Sequence, residues 1–125
     1  MTPLYVDAGW VLNVQVNVSP ANTPIRDWGA LGCMAERHKY ERVAGEPYYE
    51  EVPSRAATFL HTALRLRPFS DYNASIGVAC AWEYMEQSGM PFELPYGEVA
   101  KLVADIRSDE ADLAETARLL RDWAG

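Results

Sequence analysis

With 125 residues, 49% of them hydrophobic, the chain predicts a single domain over residues 1–125 with a well-filled core, which excludes wholesale disorder. A formal net charge of -7 argues against direct binding to nucleic acid, because phosphate contacts need a cationic surface. The opening residues carry no basic n-region, and no apolar run approaches the roughly 18 residues of a membrane span, so we expect a cytoplasmic protein without membrane contact.

The first predicted element is compatible with two structures. Residues 12–18 (LNVQVNV) alternate apolar and polar side chains, which favours a strand. The same region also supports a helix that Asp7 would cap, because four apolar residues share one helical face: Trp10, Val11, Val14 and Val18. The residues alone lean slightly towards the strand.

A short helix and a polar stretch follow the loop at residues 19–24. Asp27 is suited to cap the helix, whose apolar side would carry Ala30, Leu31, Met34 and Ala35. Residues 36–52 are polar and are broken by Gly45 and Pro47, which indicates an extended or irregular surface segment. We expect His38, within this segment, to be exposed to solvent.

Two longer helices are predicted in the middle of the chain. The first begins near Pro53 and ends before Pro68, because the residue that precedes a proline avoids the helical region; its apolar residues are Ala56, Ala57, Leu60, Ala63 and Leu64. The second is predicted to be capped by Asn73 and to end near Gly89. Residues 76–82 (IGVACAW) are apolar on all sides, so this helix belongs at the centre of a bundle.

Two further helices complete the prediction. One starts at Pro95 and carries an apolar stripe of Val99, Leu102, Val103 and Ile106. The last is predicted to be capped by Ser108 and to face inward with Leu113, Ala117 and Leu120. The fold class is therefore all-α, with five or six helices. Both cysteines, Cys33 and Cys80, fall in apolar helical patterns and are expected to be buried thiols.

Residues 59–89 (FLHTALRLRPFSDYNASIGVACAWEYMEQSG) place a Pro-Phe pair, an aspartate and an asparagine between two predicted helices. This arrangement resembles the core of the Fic/Doc family, and within it the short Doc-like toxins. The family motif reads H-P-F-x-D/E-G-N-K-x-R in its fullest form, with an H-P-F-x-D-G-N-K-R-T version in Doc. The resemblance covers about residues 23–123, since an Arg-Asp pair, a short helix, a flap segment and two C-terminal helices follow the family's order.

The resemblance has consequences for fold and function. It implies a compact Fic/Doc-like bundle with a helix over residues 7–17, which overrides the strand interpretation, and it allows a small β-hairpin flap. It also implies transfer of a phosphate-containing group from ATP to a protein hydroxyl, with Mg²⁺ on the phosphates. Such a reaction needs a base of near-neutral pKa, a metal, and cations or N–H donors around the developing charge.

This chain departs from the motif at most of the positions that carry that chemistry. Arg67 stands at the position of the histidine base, and an arginine stays protonated and cannot accept a proton. Tyr72 replaces the glycine, and Ala74 and Ser75 replace the lysine and the arginine. Asp71 and Asn73 remain. Arg67, Asp71 and Asn73 thus hold the catalytic motif positions, and the phosphate loop is Tyr72, Asn73, Ala74 and Ser75.

Other residues carry weaker expectations. Asp71 is the candidate Mg²⁺ ligand, although one carboxylate without substrate phosphates makes a weak site. The flap residues Gly45, Tyr48 and Tyr49 either contact a partner protein by strand addition or cover the edge of the core. His61 could face the cleft as a substitute base, or pack as a structural histidine. Three arginines could form a basic spot or pair with surface acids: Arg55, Arg65 and Arg67.

Three functions stay open at this point. The first is a toxin-like component of a bacterial toxin–antitoxin pair that has lost its catalysis, needs no cofactor, and binds an antitoxin protein and a target protein. The second is an active, divergent transferase that uses Mg²⁺ and ATP. The third is a structural or regulatory helical domain without a small ligand.

Overall fold

The computed structural model describes residues 3–39, 42–43, 46–47 and 51–125. Within these ranges the chain forms six α-helices, which confirms the predicted all-α bundle: α1 (Ala8–Val18), α2 (Trp28–Glu36), α3 (Val52–Leu66), α4 (Asn73–Gln87), α5 (Tyr96–Arg107) and α6 (Leu113–Trp123). A 3₁₀ turn (Arg37–Lys39) follows α2, and two short antiparallel strands, β1 (Arg42–Val43) and β2 (Glu46–Pro47), precede α3. In the described ranges, every helix is too short or too polar to cross a bilayer.

The first segment is helical, which confirms the helix predicted over residues 7–17, whereas the strand that the alternation alone favours is wrong. Asp7 accepts a hydrogen bond from the Trp10 N–H at 3.0 Å and caps α1, while Val11 and Val14 enter the core. Asp27 caps α2 in the same way, through the Ala30 N–H at 2.9 Å. The four apolar residues predicted for the inner face of α2 are all buried.

The centre of the bundle is the contact between α3 and α4. The inner face of α3 is rich in small residues, and Gly77 of α4 lies directly against it. A Cβ atom at Gly77 would lie 2.8 Å from the Ala63 Cβ and 3.3 Å from the Leu60 Cα. The two helices therefore approach closely, because one of them has no side chain at the crossing.

The last two helices lie against α3, but the predicted start of α6 is wrong. Asp112, rather than Ser108, caps α6, accepting from the Glu115 N–H at 2.8 Å. Ser108 instead ends α5, and the chain then turns through Asp109, which has a left-handed backbone (φ 64°). The Asp105 carbonyl accepts two N–H groups in this turn, so several residues are used before α6 can begin.

Two predictions about burial fail. His38 is fully buried rather than exposed, because the 3₁₀ turn directs its ring against Phe59 and Tyr84, with centroid distances of 5.0 and 5.5 Å. Cys33 is exposed, because it lies on the outer face of α2. Cys80 is buried as predicted, and burial raises the pKa of its thiol.

The segment before α1 is attached to this buried aromatic cluster. The Val6 N–H donates to Nε2 of His38 at 3.0 Å, and the Tyr84 hydroxyl donates to the Leu4 carbonyl. Both partners lie far along the chain, in the turn after α2 and in α4. The residues before α1 thus contribute directly to the packing of the core.

Candidate functional site

The candidate site is the loop between α3 and α4, and it begins where α3 ends. Arg67 follows α3 with a left-handed backbone (φ 46°), and its N–H donates to the Ala63 carbonyl at 3.1 Å. Pro68 then prevents further helix, as predicted. The backbone turn places the Arg67 side chain in the wall of a cleft of about 450 Å³.

Arg26 fixes this turn from a distant part of the chain. Its Nε donates to the Arg67 carbonyl at 2.8 Å and its Nη2 to the Leu66 carbonyl at 2.7 Å. These carbonyls lie at the end of α3, where helical partners are missing. The backbone N–H groups of Arg26 and Asp27 also donate to the Pro68 carbonyl. The segment before α2 therefore acts as a clamp on the loop.

Asn73 fixes the end of the loop that leads into α4, but it does not act as the predicted N-cap of that helix. It is the first residue of α4, and its buried amide closes a ring with Phe69: Oδ1 accepts from the Phe69 N–H at 3.0 Å, and Nδ2 donates to the Phe69 carbonyl at 2.9 Å. Both polar groups of the Phe69 backbone are satisfied by this one side chain, while the Phe69 ring fills the core.

Replacing Asn73 by alanine should therefore destabilise the fold by about 2 kcal/mol, because two buried backbone groups lose their partners. Asn73→Asp should cost less, since a carboxylate still accepts from the Phe69 N–H. Ser70→Ala, at an exposed position in the same loop, is the control and should change little. Urea unfolding measures all three, and an unchanged midpoint for Asn73→Ala would contradict the bridging role.

Tyr72 occupies the position that the resemblance assigns to glycine, and its backbone is left-handed (φ 65°). Residues with a Cβ pay roughly 1–2 kcal/mol in this conformation. The side chain lines the cleft and remains 43% exposed. The tyrosine thus keeps the turn that a glycine would adopt without strain, and adds a partly exposed ring to the lining of the cleft.

This strain predicts that Tyr72→Gly will be more stable than Tyr72→Ala by about 1 kcal/mol, because glycine relieves the left-handed backbone. Ala100→Gly, at an exposed position within α5, should have the opposite sign and lose about 1 kcal/mol. Thermal denaturation of the four proteins, wild type included, gives the comparison. Equal stability of the two Tyr72 variants would show that the turn is unstrained.

Three arginines line this cleft, which we call the arginine cleft: Arg26, Arg67 and Arg107. Within the described part of the chain, neither Arg67 nor Arg107 forms an ion pair. The first turn of α4, with Ala74 and Ser75, also opens into the cleft. Its N–H groups have no intrahelical acceptors, so the cleft is electropositive.

The predicted basic spot of Arg55, Arg65 and Arg67 does not form. Arg55 is buried near the start of α3, roughly 18 Å along the helix from Arg67. Arg65 pairs with Asp109 and also approaches the Ile106 carbonyl. The residues that do join Arg67 come from outside the motif, and the spacing of residues along α3 gave no sign of them.

Asp71 lies in the wall of the cleft, and its carboxylate is exposed. Its Oδ1 accepts a hydrogen bond from the Tyr72 N–H at 2.8 Å. In the described ranges, no group of three histidine, cysteine or carboxylate side chains is arranged to hold a metal ion. Asp71 is therefore a single carboxylate that could contribute to a Mg²⁺ site only together with ligands from a bound phosphate.

His61 is not among the described residues that line the cleft. Its Nδ1 lies 3.3 Å from Nη1 of Arg37, and that guanidinium also donates to the Thr62 hydroxyl. Burial first, and then the charges of Arg37 and Arg65, lower the pKa of His61. The structural interpretation of this histidine fits its surroundings better than the role of substitute base.

The predicted flap residues Gly45, Tyr48 and Tyr49 lie outside the described residues. The backbone of β1 and β2 pairs Arg42 with Pro47 and Val43 with Glu46, which is a short hairpin at the place where the resemblance puts the flap.

A scan against models of known protein families and a search of curated proteins returned no match for this chain.

Proposed function

We propose that the chain is a Fic/Doc-like, toxin-like component of a bacterial toxin–antitoxin pair that has lost its transferase chemistry and acts by binding protein. The observation that carries this proposal is Arg67 in the wall of the arginine cleft, at the motif position of the base. A guanidinium stays protonated at any working pH, so it cannot remove a proton from a target hydroxyl.

The other residues of the cleft support the same conclusion. Among its described lining residues there is no histidine and no lysine, and Asp71 is the one carboxylate. The resemblance assigns this carboxylate to the metal rather than to proton transfer. Tyr72, in place of glycine, lines the cleft beside the first turn of α4, where the family would hold phosphates against backbone N–H groups. The loop scaffold thus remains while the reacting groups are replaced.

A divergent transferase is the second candidate, and the guanidinium groups of Arg67 and Arg107 favour it. Arginine binds phosphate oxygens by paired hydrogen bonds, and Arg67 and Arg107 make no ion pair in the described part of the chain. The cleft could therefore bind an anionic group. Binding alone does not give transfer, since the position of His61 supplies no base. The third candidate, a helical domain without any ligand, leaves the arginine cleft without a role.

Titration calorimetry with Mg²⁺ and ATP separates the first two candidates. We expect no binding of nucleotide at millimolar concentration and no transfer of label from ATP to protein by the wild type. A nucleotide turnover that Asp71→Ala abolishes would overturn the proposal. Co-purification with the product of an adjacent short reading frame supports the toxin–antitoxin pair and counts against the third candidate.

A restoration experiment tests the evolutionary part of the proposal. The combined change Arg67→His, Tyr72→Gly, Ala74→Lys and Ser75→Arg should recover transfer of label from ATP to protein, because it returns the base, the glycine and the cations of the family motif to the loop. Arg67→His alone should stay inactive. Recovery by this single change would mean that Tyr72 does not obstruct the phosphate loop.

A further inference from the structure

A second open surface lies on the other part of the bundle, between α5 and α6. Both helices rest on α3, and the groove between them has a volume of about 860 Å³. Leu102, Leu119 and Trp123 contribute apolar side chains to it, and the last two are only partly buried. We call this groove, with these three residues as its floor, the acidic groove.

The charge of the acidic groove sets it apart from the rest of the surface. Seven carboxylates line it, against one lysine and one arginine, and Arg65 pairs with Asp109 from outside the groove, which leaves a surplus of four negative charges. The whole chain carries a net charge of -7, so most of the excess is concentrated here. The two cations are already engaged: Lys101 pairs with Asp105 at 2.6 Å, and Arg118 pairs with Glu115 at 2.6 Å and Asp122 at 2.9 Å.

Two further carboxylates of the groove are not neutralised by a described cation. Glu98 and Glu110 form no ion pair with any residue that the structure describes. Nor do the acids converge on one point, because no three of the described carboxylates are grouped as metal ligands. The acids are spread along the rims of an apolar floor, and this distribution fits an extended cationic partner better than a single ion.

We propose that the acidic groove binds a lysine- and arginine-rich amphipathic helix of a partner protein. The apolar face of such a helix would cover Leu119 and Trp123, and its basic residues would reach the carboxylates on both rims. The inference rests on the protein-binding role proposed above and specifies the chemistry of the partner.

The test uses the full chain and a synthetic helical peptide of about 15 residues, with leucines spaced three and four apart and lysines elsewhere. Titration calorimetry should show saturable binding that weakens as salt is raised to about 0.3 M. A peptide of the same composition, scrambled so that it has no apolar stripe, should bind at least tenfold more weakly. Equal binding of both peptides would reduce the groove to a general acidic surface and overturn the proposal.

Variants locate the binding on the protein. Glu98→Lys with Glu110→Lys should weaken the binding of the leucine-lysine peptide at least tenfold. Glu86→Lys with Glu93→Lys makes the same change in net charge at exposed positions outside the groove and should change binding less than twofold. Trp123→Ala should also weaken binding; if that variant fails to fold, the two charge-reversal pairs decide the question.

Failure of this inference can be told apart from failure of the proposed function. Transfer of label from ATP to protein by the wild type would refute the loss of chemistry and leave the peptide result unaffected. An absence of peptide binding, or equal loss of binding in both charge-reversal pairs, would refute the acidic groove and leave the arginine cleft as described.

Discussion

Gly77→Leu is expected to leave the chain largely unfolded under native conditions. Even the first carbon of a side chain would lie 2.8 Å from the Ala63 Cβ, and the α3 backbone at Leu60 is 3.3 Å away. The contact is with another helix rather than with a flexible side chain, so α3 and α4 would have to separate. Domains of this size are stable by only about 5–15 kcal/mol. The free-energy cost of separating the central helix pair should therefore cancel most of that stability.

Smaller changes calibrate this prediction. Gly77→Ala should cost about 1–2 kcal/mol, since overpacking outweighs the better helix propensity of alanine. Gly32→Ala in α2 meets nothing within 4 Å and should be neutral or stabilising. Combining Gly77→Ala with Ala63→Gly should recover part of the loss. Near-UV circular dichroism and urea unfolding report the outcome, and a Gly77→Ala protein more stable than wild type would contradict the close approach.

The stability of the protein should fall steeply as the pH drops from about 6.5 to about 4. Burial, and then the charge of Lys39, lower the pKa of His38 from 6.5 to about 4. In this interval the unfolded chain binds a proton that the folded chain does not, so acidification favours unfolding by up to about 3 kcal/mol. A protonated ring would also lose the Nε2 lone pair that accepts from the Val6 N–H.

Comparison of two variants assigns this pH dependence to a residue. His38→Gln should be less stable than wild type at neutral pH and should show a much flatter profile between about pH 6.5 and 4. His61→Gln should keep most of the slope, because His61 is only half-buried, although its pKa is lowered in the same direction. Equal slopes for wild type and His38→Gln would contradict the role of the buried imidazole. Urea unfolding at successive pH values provides the free energies.

The helices could be predicted largely because periodicity reports burial directly. The apolar residues predicted for the inner faces of α2 and α3 are all buried, although α3 also buries Phe59, which was not predicted. Gly89, predicted near the end of α4, has a left-handed backbone (φ 86°). The errors have local causes. The alternation in α1 imitates a strand, and Ser108 and Asp112 are both good caps that only the path of the turn distinguishes. His38 sits in a polar stretch that gives no sign of its burial.

The candidate site could be predicted only in part. The motif-like stretch located the loop, and Arg67, Asp71, Tyr72 and residues 73–75 do line one cleft. Arg26 lies 41 residues before Arg67, and Arg107 comes from the end of α5, so no local spacing could bring them there. The role of Asn73 was also hidden, since its partner Phe69 comes within reach only when the loop is folded.

The attachment of residues 4–6 to His38 and Tyr84 has a consequence for biosynthesis. The Tyr84 hydroxyl lies 80 positions after the Leu4 carbonyl it binds, and a chain made from its N-terminus cannot form this contact until α4 has left the ribosome. Residues 4–6 can reach His38 earlier, but their contact with Tyr84 has to wait for α4. Nascent chains halted before α4 should be sensitive to protease around residues 4–6, and this sensitivity should fall once Tyr84 has emerged.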